Sequence, residues 1–470
     1  MRKTKIICTI GPASENKETL IKMCKAGMNV ARMNFSHGSH EEHLKKLNLV
    51  KEVRKELNLP IAIMLDTKGP EYRIGTFENG SIELNEGDIF TFTANDVEGN
   101  QGIVSVSYKN FAKELNVGDT ILVNNGISIF EVVDKNDREC ITKVIAGGKL
   151  SNKKSMSFPQ HVMKQEFLSE QDKADLLFGI ENDVDFVAAS FVSNKQDVQK
   201  MRNFLDENGG DDIEIIAKIE NLSGVENVDG ICEIADGIMV ARGDLGVEIP
   251  FVKVPTVQKY IIKRCQELGK KVITATEMLE SMIYNPRPTR AEISDVANAV
   301  YDGSTAIMLS GETASGQHPV EAVKAMADIA LYTEEHINYA NKFKKKDYPI
   351  TNNVDALSHA VCSIAFNSDA KAIVINSLSG YTIKMVSRFK PQAAILGTTI
   401  NEKVYRQLNL CWGVKPVLTE EYNSMDVVFY QSSKNAKEYL HLHEGDTIVV
   451  TGGRTNGVSG NSNTIRLETI

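Results

Sequence analysis

The sequence has few of the features that mark secreted, membrane-spanning or thiolate-metal proteins. Seven cysteines are spread between Cys8 and Cys411 without a CxxC pair, so neither a disulfide framework nor a cysteine zinc site is expected. The longest apolar runs, such as 186–192, are far shorter than the roughly 20 residues of a bilayer-spanning helix. The apolar segment before Gly11 is too short for a signal-peptide core. These absences predict a protein of the reducing cytoplasm.

Charge and missing motifs exclude further classes. The 470 residues include 53 Lys and Arg against 62 Asp and Glu, a formal net charge of −9. This balance argues against nucleic acid or an anionic membrane as the main partner, although a local basic cluster still allows small anionic substrates. The sequence also lacks a GxxxxGK[ST] phosphate loop, a kinase-type HRD loop and an HExxH motif. Any nucleotide must therefore be held in another way.

Apolar strands and amphipathic helices alternate along most of the chain, which predicts parallel strands joined by right-handed crossovers. The predicted strands are 5–10, 30–35, 61–65, 185–191, 213–219, 237–240, 271–275 and 306–309. The predicted helices are 17–26, 41–57, 169–180, 195–207, 224–234, 256–268 and 289–301. Eight strand–helix units favour a closed (β/α)8 TIM barrel. An open, doubly wound sheet is the alternative.

The alternation is interrupted once. After residue 70, segments with a period of two predict an all-β insertion, a lid domain at 71–158. The flanking parts, 1–70 and 159–345, together approach the ~250 residues typical of the barrel. A separate block at 346–470 resumes the alternation and is predicted to form a C-terminal open α/β domain. Three domains also suit the chain length at roughly 150 residues per domain.

Polar residues collect at the predicted strand ends, which in this type of barrel meet at one rim. The segments are 31–36, 65–73, 217–221, 241–246, 274–278 and 310–313. Glu220 and Asp244 come from neighbouring strands and suit Mg²⁺, which usually takes one or two carboxylates. Lys218 shares a strand face with Glu220, so its ammonium suits stabilisation of an anion in transfer. A purely structural salt bridge is the alternative for this group.

Other residues at the rim suit phosphate or a monovalent cation. Arg32 and Arg73 carry guanidinium groups that fit phosphate. The turn 242–250 is a candidate short helix whose backbone N–H groups would bind an anion. The oxygen donors suited to a monovalent cation are Asn34, Ser36, Asp66 and Thr67. For Asn34 and Ser36, capping and turn roles are the alternative.

Eight segments carry a resemblance to a known family. They read KIICTIGP (5–12), NVARMNFSHG (29–38), LDTKGPE (65–71), IAKIEN (216–221), IMVARGDLGVEIP (238–250), ITATEML (273–279), NPRPTRAE (285–292) and MLSGET (308–313). With these segments the chain resembles the pyruvate kinases over essentially its whole length. The resemblance implies transfer of phosphate from phosphoenolpyruvate to ADP, giving pyruvate and ATP in the final step of glycolysis. It also implies an allosterically regulated homotetramer.

The resemblance further implies roles in phosphoryl transfer. Glu220 and Asp244 would hold Mg²⁺ or Mn²⁺, Lys218 would stabilise the transferring group, and Arg32 would contact it. The remaining substrate-binding residues implied are Gly243, Asp244, Thr276, Ser310 and Glu312, with the last two on the proton-transfer side. A threonine hydroxyl is a poor acid, so we expect Thr276 to relay a proton from water rather than supply it.

Nucleotide, K⁺ and effector sites follow from the same resemblance. Arg73 and Lys154 of the lid would bind ADP or ATP. K⁺ would be held by Asn34, Ser36, Asp66 and Thr67, and a glutamate at position 71 resembles K⁺-dependent family members. A sugar phosphate or nucleotide effector would bind loops containing Ser377, Ser379, Gly380, Thr382, Gly457 and Gly460. Position 277 departs from the family pattern, with Glu where many relatives have Gln.

Two other functions fit parts of the sequence. Another Mg²⁺-dependent barrel acting on phosphoenolpyruvate or pyruvate, such as an aldolase or lyase, would keep Glu220 and Asp244 but would not need Arg73 and Lys154 on a lid. A non-catalytic metabolite sensor would use only the C-terminal domain and would gain nothing from Lys218. A coupled assay of ATP formation distinguishes these from a phosphotransferase.

Overall fold

The computed structural model describes residues 1–159, 161, 163–345, 348–422, 424–453 and 462–470. Its strands are β1 (Lys5–Thr9), β2 (Val30–Asn34), β3 (Ala62–Asp66), β4 (Tyr72–Arg73), β5 (Ser81–Leu84), β6 (Ile89–Thr93), β7 (Ile103–Ser105), β8 (Thr120–Val123), β9 (Ser128–Lys135), β10 (Glu139–Ala146), β11 (Gly148–Ser151), β12 (Ser155–Ser157), β13 (Phe186–Ala189), β14 (Glu214–Ile219), β15 (Gly237–Ala241), β16 (Lys271–Ala275), β17 (Ala306–Leu309), β18 (Ala372–Asn376), β19 (Ala394–Thr399), β20 (Val414–Leu418), β21 (Thr447–Gly453) and β22 (Ser462–Thr469).

Its helices are α1 (Lys17–Ala26), α2 (His40–Leu57), α3 (Phe111–Glu114), α4 (Glu170–Glu181), α5 (Lys195–Glu207), α6 (Leu222–Glu226), α7 (Val228–Ile234), α8 (Arg242–Glu248), α9 (Val254–Leu268), α10 (Arg290–Asp302), α11 (Gly311–Ala314), α12 (Pro319–Glu335), α13 (Tyr339–Lys345), α14 (Asn353–Asn367), α15 (Tyr381–Arg388), α16 (Glu402–Gln407) and α17 (Met425–Leu440). No described helix is both long and apolar enough to cross a bilayer.

Eight parallel strands, β1 to β3 and β13 to β17, close into a barrel, because β1 pairs with β17 as well as with β2. The strands are apolar on both faces: Ile216 packs inside the barrel, whereas the next residue, Ala217, packs towards the surrounding helices. Their registers align the carboxyl ends, with Asn34 beside Asp66 and Asp66 beside Ala188. The TIM barrel is confirmed, and the open sheet considered as an alternative is wrong.

Local sequence signals set the helix boundaries. Capping boxes start α2 at Ser39, α4 at Ser169 and α10 at Thr289, each with an acidic residue three positions later that binds back to the cap. One predicted helix, 224–234, is divided into α6 and α7. Asn227 ends α6 and begins α7, and its amide donates to Ser193 O and Ser223 O. These side-chain hydrogen bonds compete with the helical backbone and account for the break.

The lid is a β-rich unit between β3 and α4 with its own apolar core, built around Phe90, Phe92 and Phe130. Its main sheet has the order β4-β12-β8-β9-β10-β6-β7, and the short helix α3 was not predicted from the sequence. Because β4 follows directly from β3, the lid stands over the carboxyl ends of the barrel strands. The boundaries 71–158 stay a prediction.

The C-terminal sheet has the order β20-β19-β18-β21-β22, with β22 antiparallel to its neighbour. In this domain the strand–helix pattern of the sequence predicts strands at 371–375, 393–397 and 447–450 and helices at 356–366 and 382–389, which correspond to β18, β19, β21, α14 and α15. It missed β20, an edge strand that contains Pro416, and β22, an edge strand in which no residue is fully buried. Proline is tolerated at a sheet edge but weakens the strand signal.

Buried ion pairs join the C-terminal domain to the bottom of the barrel. Glu214 of β14 binds both Lys271 of β16 and Lys384 of α15. Asp185 accepts a 2.7 Å hydrogen bond from Arg406 of α16 and a 2.8 Å bond from Ile63 N. Because each carboxylate is almost fully buried, loss of one partner would leave an uncompensated charge.

Replacement of Glu214 by glutamine should destabilise the protein in a pH-dependent way. Burial opposes the charged carboxylate, but attraction to Lys271 and Lys384 outweighs it and lowers the pKa of Glu214 from 4.5 to about 2. A pKa that is lower in the folded chain stabilises the fold above pH 4.5, and this stabilisation is lost as the pH falls towards 2. We expect Glu214→Gln to cost about 3 kcal/mol at neutral pH. Calorimetry measures the free energy of unfolding of Glu214→Gln and of the exposed control Glu207→Gln. The difference between the two variants should shrink as the pH falls below 4.5. A difference that does not change with pH would contradict the assignment.

Candidate active site

A buried carboxylate, Asp66, forms the centre of the barrel mouth. Its Oδ2 accepts a 2.6 Å hydrogen bond from Arg32 Nε of β2, and its Oδ1 lies 3.1 Å from Lys218 Nζ of β14. The three residues are only 8%, 1% and 9% exposed for Arg32, Asp66 and Lys218. Burial alone would raise the pKa of Asp66, but the two cations outweigh it and lower that pKa. The carboxylate therefore stays ionised and fixes both cationic groups at the mouth.

Lys218 has two more polar neighbours. Its ammonium lies 2.9 Å from Glu220 Oε1 and donates a 2.7 Å hydrogen bond to Ser190 Oγ. Burial disfavours the charged amine, but attraction to Asp66 and Glu220 reverses the effect and raises its pKa. Lys218 is thus a permanent positive charge and is unsuited to act as a base. Ser190 was not singled out from the sequence, because a serine after a buried strand is indistinguishable from an ordinary turn residue.

Glu220 and Asp244 occupy contrasting positions. Glu220 is buried and accepts a 2.6 Å hydrogen bond from Phe191 N, whereas Asp244, on α8, is exposed. Burial, assisted by repulsion from Asp244 and opposed by Lys218, raises the pKa of Glu220 to about 7. Among the described residues, the carboxylate of Asp244 has no hydrogen-bond or salt-bridge partner. A pair of carboxylates that repel each other beside open space fits a divalent cation.

The described residues contain no group of three or more His, Cys, Asp and Glu arranged to hold a metal. Glu220 and Asp244 form a pair, which is the number of carboxylates that Mg²⁺ commonly takes when substrate oxygens and water complete its octahedron. The donor set is also all oxygen, as this hard cation prefers. The residues present therefore fit Mg²⁺ or Mn²⁺ and do not fit a structural zinc site.

Thr276 and Gly243 meet across two strand ends. The Thr276 hydroxyl accepts a 2.8 Å hydrogen bond from Gly243 N and donates a 2.6 Å bond to Ala275 O. Thr276 and Glu277 have φ of 67° and 55°, in the left-handed region that non-glycine residues rarely adopt. Such backbone strain persists only where neighbouring groups impose it, and it is common at functional sites.

Arg242 is the group that imposes this conformation. Its guanidinium donates to Thr276 O at 2.6 Å and to Glu277 O at 3.1 Å. The opposite side of the guanidinium binds both Asp295 oxygens, at 2.7 and 2.9 Å. We call these contacts of Arg242 with Thr276, Glu277 and Asp295 the Arg242 clamp. The sequence places Arg242 in a motif, but it does not reveal these contacts, because Asp295 lies on α10, far along the chain.

The oxygens proposed for K⁺ lie on the adjacent strand ends of β2 and β3. Phe35 N donates to Asp66 O at 3.0 Å, which holds these ends together. Asn34 Oδ1 accepts from Ser36 N at 3.1 Å, and the Thr67 hydroxyl lies 3.4 Å from Ala188 O. Asn34 and Ser36 thus do form a local turn contact, which was the alternative considered for them.

The two residues on the proton-transfer side are strongly constrained. Glu312 is buried, and its carboxylate accepts from Leu279 N at 3.0 Å and from Ser310 N at 2.7 Å. It therefore ties the loop after β16 to the loop after β17. Ser310 Oγ is buried without a hydrogen-bond partner among the residues that the structure describes. Contact of either side chain with a substrate stays a prediction.

The predicted nucleotide residues lie on the lid where β4 meets β12. Arg73 forms two bonds to Glu71, of 2.7 and 3.0 Å, and donates to Lys153 O at 2.7 Å. Lys154 follows on the same turn and accepts from Ile74 N through its carbonyl. A cleft of about 320 Å³ separates lid and barrel, and its wall includes both Glu71 and Asp244. Arg73 and Lys154 do not line this cleft themselves, but their chain neighbours Tyr72 and Ser155 do.

The predicted effector residues lie far from the mouth, around the start of α15. Gly380 has φ of 73° and begins this helix, and Thr382 Oγ1 lies 2.6 Å from Ser462 Oγ of β22. Ser377 N donates to Thr398 O at 3.0 Å. Gly457 and Gly460, the other predicted members, lie outside the described residues.

Removal of the Arg242 clamp should loosen the strained turn without unfolding the barrel. In Arg242→Met the carbonyls of Thr276 and Glu277 lose a charged donor, so we expect amide exchange of this turn to become about tenfold faster. Hydrogen exchange read by mass spectrometry measures this directly. Arg287→Met, which removes an exposed arginine, is the matched control. Unchanged exchange around Thr276 would show that the clamp does not hold the turn.

Comparison with known proteins agrees with this geometry. The chain matches the family model of the pyruvate kinase barrel domain over residues 1–323 and that of the pyruvate kinase alpha/beta domain over 355–468. It is 46% identical to a pyruvate kinase of Bacillus licheniformis, covering 100% of this chain and 81% of that protein. It is 44% identical to a pyruvate kinase of Clostridium acetobutylicum over 100% of both chains. A solved pyruvate kinase from Cryptosporidium parvum superposes with a TM-score of 0.94 at 38% identity, covering 100% of this chain and 96% of the other. An eight-stranded barrel with this cluster at its mouth, matched over its whole length at this identity, belongs to the pyruvate kinase family of phosphotransferases.

Proposed function

We propose that the chain transfers the phosphoryl group of phosphoenolpyruvate to ADP in the final step of glycolysis, with Mg²⁺ or Mn²⁺ and K⁺ as cofactors. The observation that carries the proposal is the cluster of Arg32, Lys218, Asp66 and Glu220 at the mouth of the barrel, with Asp244 open to solvent beside it. This arrangement suits a reaction that needs positioning and charge neutralisation more than covalent catalysis.

The charges of the cluster support a requirement for a divalent cation. The pKa of Glu220, raised to about 7, allows it to ionise near neutral pH, and a bound cation would favour the ionised form. The cluster then contains three carboxylates, on Asp66, Glu220 and Asp244, and two cationic groups, on Arg32 and Lys218, so by itself it would repel a phosphate. A divalent ion held by Glu220 and Asp244 would reverse that sign and polarise the substrate oxygens.

Lys218 and Arg32 are the groups proposed to hold the phosphoryl in transfer. Both are fixed by Asp66 before substrate arrives, so little reorganisation is needed at the moment of reaction. An arginine has five N–H donors, and Arg32 directs one to Asp66 and one to Thr9, so it can still donate to a phosphoryl oxygen. The three donors of Lys218 are directed to Asp66, Ser190 and Glu220. Lys218 would therefore release Ser190 or Glu220 and keep its bond to Asp66 when it donates to the phosphoryl group. Gly243, Ser310 and Glu312 are proposed to shape the substrate pocket around them.

Thr276 is proposed to guide protonation of the enolate that remains after transfer. Its hydroxyl hydrogen bonds to Ala275 O and accepts from Gly243 N. Rotation of the hydroxyl away from Ala275 O would direct its proton towards the mouth, and water would restore it. The Arg242 clamp on the Thr276 carbonyl keeps the side chain in reach.

K⁺ is proposed to bind near the adjoining ends of β2 and β3. The oxygens proposed as ligands belong to Asn34, Ser36, Asp66 and Thr67. The backbone bond from Phe35 N to Asp66 O supports this placement, because it holds the two strand ends in register. A monovalent cation there would add positive charge next to the substrate phosphate.

Nucleotide binding, regulation and assembly complete the proposal. Arg73 and Lys154 of the lid are proposed to hold ADP or ATP, because their chain neighbours Tyr72 and Ser155 line the cleft that Asp244 also lines. An effector, a sugar phosphate or nucleotide, is proposed at the loop containing Ser377, Ser379, Gly380 and Thr382. The assembly is proposed to be a homotetramer in the cytoplasm.

Lys218→Met should abolish turnover but preserve metal binding. The variant removes the permanent positive charge that faces the migrating group, so we expect kcat to fall about 10³-fold or more. ATP formation from phosphoenolpyruvate and ADP, with Mg²⁺ varied, measures the loss, and the paramagnetic signal of Mn²⁺ measures metal binding. Lys200→Met, on the exposed side of α5, should behave like the parent. A near-normal kcat in Lys218→Met would show that Lys218 does not stabilise the phosphoryl group in transfer.

Glu71→Lys should reduce the need for K⁺. The resemblance to K⁺-dependent relatives rests on Glu71, and a lysine there would supply the single positive charge that K⁺ otherwise adds. At a few ångströms such a charge is worth roughly 1–4 kcal/mol, so the activation ratio with and without K⁺ should fall about tenfold. Glu71→Gln is the matched control, since it also breaks the pair with Arg73 but supplies no charge. Equal K⁺ activation in the parent and in Glu71→Lys would contradict the proposal.

A further inference from the structure

A second cavity, of about 520 Å³, lies at the end of the barrel opposite the mouth, between the barrel and the C-terminal domain. We call it the basal cavity and define it by Lys270, Lys271, Lys384, Arg388 and Trp412, which all line it. The lysines at 270 and 271 stand at the start of β16, so this cavity faces the amino ends of the strands. Its volume falls in the range of small-molecule sites, and the predicted catalytic groups do not line it.

The wall of the basal cavity has an excess of positive charge. Its basic residues are Arg264, Lys270, Lys271, Lys384, Arg388 and Lys390, and its acidic residues are Asp236, Glu267 and Asp355. The acidic groups already have partners within the protein. Asp236 accepts from Ile215 N at 2.9 Å, Glu267 pairs with Arg264 at 2.9 Å, and Asp355 accepts from Thr351 at 2.7 Å. Two acids behind the wall compensate some of the bases, because Glu214 pairs with Lys271 and Lys384, and Asp229 pairs with Arg264. With these included, six basic residues face five acidic ones, and this small positive excess favours an anion.

Several donors on this wall have capacity for another acceptor. Lys384 binds Glu214, and Lys270 donates to Ala235 O at 2.8 Å; within the described part of the chain these are the only partners of the two ammonium groups, each of which can donate three hydrogen bonds. Arg388 has a side chain only 6% exposed, and its guanidinium lies 3.4 Å from Asp355 and donates to Pro349 O at 3.0 Å. Its Nε has no acceptor among the described residues, so an acceptor supplied from the cavity would satisfy this remaining donor.

Aromatic side chains complete the wall. Tyr381, Lys384, Met385 and Arg388 are spaced three or four residues apart on α15, so they face the cavity together. Tyr381 is 40% exposed, whereas Trp412, which also lines the cavity, is only 4% exposed and has Lys390 Nζ 5.1 Å from its ring centroid. Aromatic faces beside basic groups suit a ligand that carries both a ring and an anionic group.

We propose that the basal cavity binds a small phosphate monoester whose other end is a polar ring, such as a nucleoside monophosphate or a sugar phosphate. Lys270, Lys384 and Arg388 hold the phosphate, and Tyr381 contacts the ring. This site is distinct from the effector loop that begins α15, although the helix connects the two. A ligand here bridges β16 of the barrel and α15 of the C-terminal domain, so it stabilises one relative placement of these domains.

The chain offers a direct optical probe, because Trp412 is its only tryptophan. Adenosine monophosphate, glucose 6-phosphate and inorganic phosphate are each titrated into the whole protein while tryptophan fluorescence is recorded. At least one ester should give a saturable change, with inorganic phosphate weaker because it lacks the ring. No saturable change with any probe, or equal affinity for the esters and inorganic phosphate, would overturn the proposal.

Substitutions test whether the fluorescence change reports binding in the basal cavity. Lys384→Met and Lys270→Met should each weaken binding about tenfold, as expected for loss of a charged hydrogen bond to phosphate. Lys434→Met, which removes an exposed lysine of the same domain, should leave binding unchanged. If Lys384→Met fails to fold because Glu214 loses a partner, Lys270→Met alone decides the outcome. Binding that Ser379→Ala weakens but the cavity variants do not would assign the signal to the effector loop and contradict the proposal.

Discussion

The carboxylate of Asp66, held between Arg32 and Lys218, is the interaction on which the mouth of the barrel depends. Asp66 and Lys218 are separated by 152 positions in the chain, and they meet in a nearly water-free setting. Two basic groups packed beside each other would repel and lose their charge or their order. The buried carboxylate compensates both positive charges, keeps Lys218 protonated and fixes the orientation of the two basic side chains. The closed barrel is what makes this possible, since it brings β2, β3 and β14 to one rim.

The same cluster accounts for the divalent cation proposed for the reaction. A site for phosphate would be expected to have an excess of positive charge, yet within the cluster of Arg32, Lys218, Asp66, Glu220 and Asp244 the ionised acids outnumber the bases. This excess of negative charge would attract a divalent ion, and the bound ion would make the local potential favourable for the substrate phosphate. The exposed position of Asp244 and the raised pKa of Glu220 are the structural marks of a cation-receptive pair. A barrel without the lid residues Arg73 and Lys154 would retain this pair but lack the groups proposed to hold a nucleotide.

Much of the fold follows from sequence patterns, and the exceptions have physical causes. The predicted bounds of β16 and β17 are those of the structure, because a buried parallel strand reads as a short apolar run between charged or polar residues. Edge strands give no such run, so β20 with Pro416 and the exposed β22 were missed. The broken helix at Asn227 depends on hydrogen bonds to Ser193, which no local pattern reports.

The residues of the site were likewise predicted only in part. Lys218, Glu220, Asp66 and Arg32 were identified from the residue types at strand ends together with the family resemblance, and the structure brings them together. Ser190 and the pairing of Arg242 with Asp295 were not, because both depend on distant segments that meet only after folding. The basal cavity was also invisible, since its basic residues are scattered and become a cluster only when α15 docks under β16.

A crystal structure of the protein with Mn²⁺ and phosphoenolpyruvate would test the central claim most directly. Anomalous scattering locates the metal independently of the refined coordinates. The account predicts a single manganese peak contacting both Glu220 and Asp244, with the substrate phosphate hydrogen bonded to Lys218 and Arg32 while Asp66 keeps its contacts to both. A metal bound elsewhere, or a phosphate that leaves Lys218 and Arg32 without contact, would contradict it.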